Sequence, residues 1–154
     1  MDSIDIDILN ILLKNSDTNY SDIAKQIYVS AGTVHIRMKK LIELGVVKGA
    51  RLRVDYSSLG YDLRGFLGIV TDKSSALEKI LADLEKVPEI IDLHTTTGNF
   101  TIFVSLICRN TNHLREVIQS KIYPIVGIQR IESFLSLSQP IDRPLHLPNP
   151  EDLE

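Results

Sequence analysis

Read for the spacing of apolar and polar positions, the chain divides into a helical first part and a second part where two-residue and helical periods alternate. In IDIDILNILLKN, Ile4, Ile8, Leu9, Ile11 and Leu12 form one helical stripe, and Asp2, Asp5 and Asp7 lie at the end that favours negative charge. NYSDIAKQI predicts a second helix with Asn19 as N-cap, Asp22 as a shortened capping-box partner, and Ile23, Ala24 and Ile27 buried. YVSAGTVHIRMKKLIELG starts again: Ser30 caps, Val34, Met38, Leu41 and Leu44 repeat at helical spacing, and Gly45 stops the helix. Only the stretch Tyr28 to Ser30 separates the second and third helices, and so short a connection forces the sharp crossing of a helix-turn-helix.

The second part reads differently. VVKGARLRVDY interleaves Val46, Val47, Leu52 and Val54 with Lys48, Arg51 and Arg53, the pattern of a linking strand with one basic face. A strand is predicted over 61–72, then a helix in SSALEKILADLEKV on Leu77, Ile80, Leu81, Leu84 and Val87, capped by Ser74 or Ser75 and ended by Pro88. EIIDLHTTTGNFTIFVSLICR predicts two strands around a tight turn at Gly98-Asn99. TNHLREVIQSKIY is a helix capped by Thr111 and closed by Pro124, IQRIESFLSLSQ is a last strand, and the proline-rich tail is expected to be extended and partly mobile.

The resulting fold class is α+β. A winged-type helix-turn-helix domain (1–46) is joined by a linking strand (47–60) to a ferredoxin-like βαββαβ domain (61–139), followed by a tail (140–154). The sheet face not covered by helices still carries apolar residues, which calls for a homodimer packed sheet to sheet.

Charge sharpens the first domain. Residues 1–54 carry 8 Lys and Arg against 6 Asp and Glu, a net of +2, whereas 55–154 carry 9 against 14, a net of −5. Within 30–53, six basic residues meet the single acid Glu43. An ordinary three-helix bundle with a solvated basic face would share the apolar pattern, but the short turn and the one-sided charge favour double-stranded DNA as partner. Ser30, Ala31, Gly32, Thr33, His35, Ile36, Arg37, Lys39 and Lys40 are then the candidate DNA-contacting positions of the third helix. Small residues at its start let the backbone come close. Thr33 and His35 suit base edges, Ile36 a thymine methyl, and Arg37 or Lys40 guanine or phosphate.

Other chemistry finds little support. Cys108 is the lone cysteine, in an apolar run, and His35, His94, His113 and His146 are scattered without metal spacing. No phosphate-binding loop, dinucleotide fingerprint or nucleophile elbow is present, so no catalytic residue, metal ligand or cofactor is expected. An RNA reader would need several exposed sheet aromatics, and the last strand offers Phe134 on an acidic domain. No apolar run reaches the length of a membrane span and the acidic start MDSIDID is unlike a secretory leader, so no membrane partner and a cytoplasmic location are expected.

The run YSDIAKQIYVSAGTVHIRMKKLIELGVVKGARLRVDYSSLGYD resembles the DNA-binding half of the Lrp/AsnC (feast/famine) transcription regulators. TTTGNFTIFVSLICR and IQRIESFLSLSQP resemble their regulatory half, and SAGTVHIR with GARLRV resembles the asparagine-responsive branch. The resemblance implies dimers assembling to tetramers or octamers, and a small amino-acid effector, asparagine or another polar one, bound between dimers. Carried onto matching positions, the effector site comprises Thr97, Gly98, Asn99, Phe100 and Thr101 with Gln129 and Glu132. Hairpin N–H groups would take the α-carboxylate, and hydroxyls, an amide or Glu132 the ammonium. Many family members carry an acidic residue where Thr101 stands, a departure that leaves ammonium recognition to other groups. A turn with β-favouring threonines and no effector, or a regulator of this fold that answers to no amino acid, is the alternative.

Overall fold

The helix-forming stripes of the first part close over one small core. In a computed structural model describing residues 1–72 and 76–153, α1 spans Ser3–Lys14, α2 Tyr20–Gln26 and α3 Ala31–Glu43. Asp2 and Asp5 form a reciprocal capping box on α1. Asn19 caps α2 by accepting from the Asp22 N–H at 2.9 Å, and its amide donates back to the Asp22 carboxylate at 2.8 Å, a side-chain return bond instead of a backbone one. Ser30 caps α3 by accepting from the Thr33 N–H at 3.0 Å. Ile8, Leu9, Ile23, Ala24, Val34, Met38 and Leu41 make the core. Ile8, Ile23 and Val34 are fully buried, and each such side chain stabilises the fold by roughly 1.5–3 kcal/mol.

Both ends of the α2–α3 pair stop in the same way. Val29 N–H reaches back to the Ala24 carbonyl, and Val46 N–H to the Leu41 carbonyl, each across a residue in the left-handed region. After α3 that residue is Gly45 (φ 70°), as expected. After α2 it is Tyr28 (φ 57°), a residue with a Cβ in a conformation that favours glycine.

The chain forms two compact units, Val54–Pro140 and a discontinuous one made of Met1–Arg53 with Ile141–Glu154. The tail expected to be loose therefore belongs with the first helices. The segment expected as a linking strand, 47–60, contains no strand; its one regular element is a 3-10 turn at Ser57–Leu59, organised by Asp55, which accepts from Ser57 N–H and Ser58 hydroxyl. A strand needs a ladder partner, and the described residues of this chain supply none to it.

In the second unit β1 (Leu63–Thr71), β2 (Ile90–Thr95), β3 (Ile102–Cys108) and β4 (Ile128–Leu135) form one antiparallel sheet in the order β2-β3-β1-β4. This is the ferredoxin-like arrangement. Period-two alternation sends Leu67 and Ile69 of β1, and Ile102, Val104, Leu106 and Cys108 of β3, towards α4 (Leu77–Glu85) and α5 (Thr111–Glu116). α5 runs on as a π-helical turn, Val117–Ile122. Ile80, Leu84, Leu114, Val117 and Ile122 complete this core.

Several local expectations are corrected. The connection at Gly98-Asn99 is a six-residue loop, 96–101, because Thr95 and Ile102 are the last paired residues. Asn110, not Thr111, caps α5, accepting from His113 N–H at 2.9 Å. Ser74 and Ser75 lie outside the described residues, and α4 has Ala76 at its N-cap position with no side-chain cap.

Candidate nucleic-acid interface and effector face

α3 meets its unit through Val34, Met38 and Leu41, which leaves Ser30, Ala31, Gly32, His35, Ile36, Lys39 and Lys40 exposed and Thr33 half-buried. A Cβ at Gly32 would meet only the Ser30 hydroxyl, at 3.7 Å, so nothing inside the unit requires glycine there; its bareness is turned outward. The Thr33 hydroxyl shares a 2.8 Å hydrogen bond with Ser30 and is thus part of the cap. His35 sits edge-on to Tyr20 of α2, ring centres 5.9 Å apart, which holds the imidazole at the outer surface. Ile36 is 68% exposed, an apolar side chain standing in water at the centre of a basic surface.

Arg37 is the exception. Its guanidinium donates to Asp2 at 2.5 Å and to Asp5 at 3.2 Å, and the Asp5 carboxylate is buried. Position 37 flanks the buried Val34–Met38 stripe on the side of the α1 N-terminus, so the arginine serves as a strut between α1 and α3. Its guanidinium, expected to face guanine or phosphate, is engaged by these two carboxylates in this structure. The bond from Arg37 holds the Asp2 carboxyl below its ordinary value, and the two carboxylates raise the guanidinium in turn. The signal was present in the sequence, since aspartates three apart form a capping box whose carboxylates face one end of α1. Tyr28, 95% exposed at the turn, was also missed as a surface feature beside the helix.

On the second unit the loop tip Thr97, Gly98 and Asn99 is exposed, and Gly98 takes φ 103°. Phe100 does not stay with the tip. Its ring folds back over Gly68 of β1, within 2.7 Å of where a Cβ would stand, edge-on to Phe134 and against Phe103. The two glycines in GFLG hinted at such a close approach. Thr101 is likewise committed: its N–H donates to the Ile69 carbonyl at 2.9 Å, and its hydroxyl accepts from Thr71 N–H at 3.4 Å. The Thr101 N–H is therefore taken up within the sheet. The Thr96 hydroxyl donates to the Phe100 carbonyl at 2.8 Å and pins the loop to the ring.

Glu132 pairs in register with Gly68, which places it beside the Phe100 ring on the open sheet face, 3.3 Å from Arg130. Gln129 lies at the β-bulge opposite Val70 and Thr71, the strand end that holds Thr101. The structure thus brings Phe100, Thr101, Gln129 and Glu132 to one end of the sheet, with Thr97, Gly98 and Asn99 beyond it. Phe66, stacked on Phe103 at 6.0 Å, extends the aromatic surface towards Phe134, which is 42% exposed.

His94 and Glu89 have side-chain partners. His94 pairs with Asp92 at 2.9 Å. Glu89, nearly buried, accepts from Lys121 at 2.5 Å and from His113 at 3.3 Å. Cys108 is buried, and burial pushes its thiol up to about 11. Among the described residues no group of three His, Cys, Asp or Glu could hold a metal ion, and no helix is long and apolar enough to cross a membrane.

Comparison with known proteins decides the family. The winged helix-turn-helix DNA-binding family matches residues 1–48, and the Lrp/AsnC ligand binding domain matches residues 64–145. The chain belongs to the Lrp/AsnC family. Regulatory protein AsnC of Escherichia coli K12 is 38% identical over 143 residues, 93% of this chain and 94% of the relative. The transcriptional regulator Ptr1 of Methanocaldococcus jannaschii is 32% identical, covering 83% of this chain and 86% of its own length. The solved structure of E. coli AsnC superimposes with a TM-score of 0.89 at 36% identity, covering 96% of this chain and 99% of that one. A Neisseria meningitidis regulator solved as its L-Met complex has a TM-score of 0.91 at 21% identity, over 96% of each chain, and shares the fold. In this Lrp/AsnC chain, α1, α2 and α3 lie within the winged helix-turn-helix match, and the sheet with its 96–101 loop lies within the ligand-binding-domain match.

Proposed function

We propose that the protein is a sequence-specific DNA-binding transcription regulator whose assembly or DNA affinity is set by a small polar amino acid, asparagine first among the candidates. The carrying observation is the outward face of α3, where His35, Ile36, Lys39 and Lys40 stand exposed on a helix fixed by Val34, Met38 and Leu41. A single helix reads only a few base pairs, so the working form is at least a homodimer. The aromatic face of Phe66, Phe103 and Phe134 is the surface that a second copy would cover, with further assembly of dimers to tetramers or octamers. As a regulator it works beside the chromosome, in the cytoplasm, and turns over no substrate.

The effector end is built from the loop-tip amides of Thr97, Gly98 and Asn99, the Phe100 ring as an apolar wall, and Gln129 and Glu132. Thr101 carries no charge, which favours recognition of the ammonium by Glu132. A second reading is a regulator of the same fold that acts without an amino acid, with Glu132 held by Arg130 at 3.3 Å.

Footprinting on the protein's own upstream DNA, with and without each amino acid, tests the function. A protected site that changes with one amino acid supports it, and no protected site refutes it. In the same assay Lys39→Ala with Lys40→Ala should make the slope of log affinity against log salt shallower by about 0.9 for each phosphate no longer neutralised.

A further inference from the structure

The tail is the least expected part of the structure. Residues 141–153 pack with the first helices, so the chain passes between its two units twice, at 53–54 and at 140–141. The docking is specific. The Asn10 amide of α1 donates to the Leu147 carbonyl and accepts from the Leu147 N–H, both at 2.9 Å, as a neighbouring strand would. The Leu147 side chain packs against the helical core. Arg53, the last residue of the N-terminal segment, donates to Asp142 at 2.7 Å. Of the six prolines in the chain, Pro140, Pro144, Pro148 and Pro150 stand here. They hold the segment extended before it docks and lower the entropy lost on docking.

α1 in turn holds α3. Asp2 and Asp5 at its N-terminus grip Arg37, on the α3 surface adjoining His35 and Ile36. A contact that fixes α1 along its length therefore also fixes the carboxylates that brace the recognition helix.

We propose that residues 141–149 are a positioning element of the DNA-binding unit: Leu147, seated on Asn10, holds α1 in the place from which Asp2 and Asp5 brace Arg37. This rests on the DNA-binding reading of α3, which it deepens. Leu147 and Asn10 carry no charge. Losing their contact should weaken DNA binding without changing the number of ions released, a signature distinct from that of Lys39 or Lys40.

The test compares the full chain with Leu147→Ser, Asn10→Ala, Leu147→Met and a chain ending at Pro140. Amide hydrogen exchange is followed in α1, and binding to the footprinted DNA is measured across a salt series at a temperature where every variant is folded. In Leu147→Ser, Asn10→Ala and the shortened chain, α1 amides should exchange about ten-fold faster or more while the sheet amides keep their protection. DNA affinity should fall by about five- to twenty-fold, with an unchanged salt slope in Leu147→Ser and Asn10→Ala, and Leu147→Met should keep exchange and affinity within about two- to three-fold of the parent. Unchanged α1 exchange in the shortened chain overturns the proposal, as does faster exchange with unaltered DNA affinity. Should the unaltered protein bind no DNA, the DNA-binding reading fails by itself, and the proposal falls as a statement about DNA while the exchange result still decides whether the strap holds α1.

Discussion

Substituting Gly68 by alanine probes the folded-back loop directly. The three atoms nearest to a Cβ at this position all belong to the Phe100 ring, at 2.7 Å, a separation that two carbons do not sustain. Either the ring leaves the sheet or β1 bows away from it. Overpacking of this kind costs about 1–3 kcal/mol. Displacing the ring also weakens its contacts to Phe103 and Phe134, centroids 6.1 Å away, each worth about 0.5–1.5 kcal/mol. Phe100→Ala alone removes a half-buried ring and should cost about 1.5–2.5 kcal/mol, half the figure for a fully buried one. In that background the added methyl meets no ring, and alanine is better than glycine within a strand by about 0.5–1 kcal/mol. Gly68→Ala should therefore destabilise the parent chain and stabilise the Phe100→Ala chain. The coupling expected is about 1.5–4 kcal/mol, read by urea unfolding followed by circular dichroism at fixed protein concentration. Costs that add to within about 0.5 kcal/mol would mean that Phe100 does not lie on Gly68, and the description of the effector end would fall with it.

Other consequences are equally open to measurement. Gly45→Ala places a Cβ in the left-handed region with no neighbour to blame, so it should cost about 1 kcal/mol in thermal unfolding; Tyr28→Gly relieves the same strain and should be neutral or stabilising. A larger loss for Tyr28→Gly than for Gly45→Ala would contradict the matched helix ends. Arg37→Gln should leave the salt slope of DNA binding as it is while lowering the melting temperature, because the guanidinium is engaged by Asp2 and Asp5; a slope reduced by about one would show that it meets phosphate. Burial pushes the Glu89 carboxyl up, but the Lys121 bond, a backbone bond and His113 outweigh this and hold it below its ordinary 4.5. That stabilisation is complete above pH 4.5 and is lost as pH falls through the lower folded value, so Glu89→Gln should flatten the acid limb of the stability curve; parallel curves for the two proteins would rule this out. Cys108, buried with its thiol pushed up to about 11, should resist iodoacetamide at pH 8 until urea unfolds the chain, and prompt native alkylation would refute its burial.

Local spacing made the helices and strands legible. Asn19, Ser30 and Gly45 mark their helix ends because each acts on backbone groups within a few residues of itself. The sheet order followed from the alternation of elements, since βαββαβ leaves few ways to cover one face. What stayed hidden depends on distant partners. Arg37 looks like any basic residue of a recognition helix until Asp2 and Asp5, more than thirty positions earlier, are brought against it. Leu147 lies in a segment whose prolines and polar residues describe a loose tail, and its docking is fixed by an asparagine 137 residues away. Phe100 has the composition of a loop residue, and only the missing side chain at Gly68 gives its ring a seat. At the proposed effector end, the Thr101 N–H is taken by the Ile69 carbonyl and its hydroxyl by the Thr71 N–H, commitments that only the folded sheet reveals.

A DNA-binding unit finished by the C-terminal segment also has a calendar. As the chain leaves the ribosome, α1 to α3 emerge first, yet Leu147 follows only after roughly a hundred further residues, about 5–20 s later at ordinary synthesis rates. Those intervening residues are the entire sheet domain. On the proposed role of the strap, a nascent or prematurely terminated chain carries an α1 whose strap has not arrived, and the completed DNA-binding unit coincides with the completed sheet face.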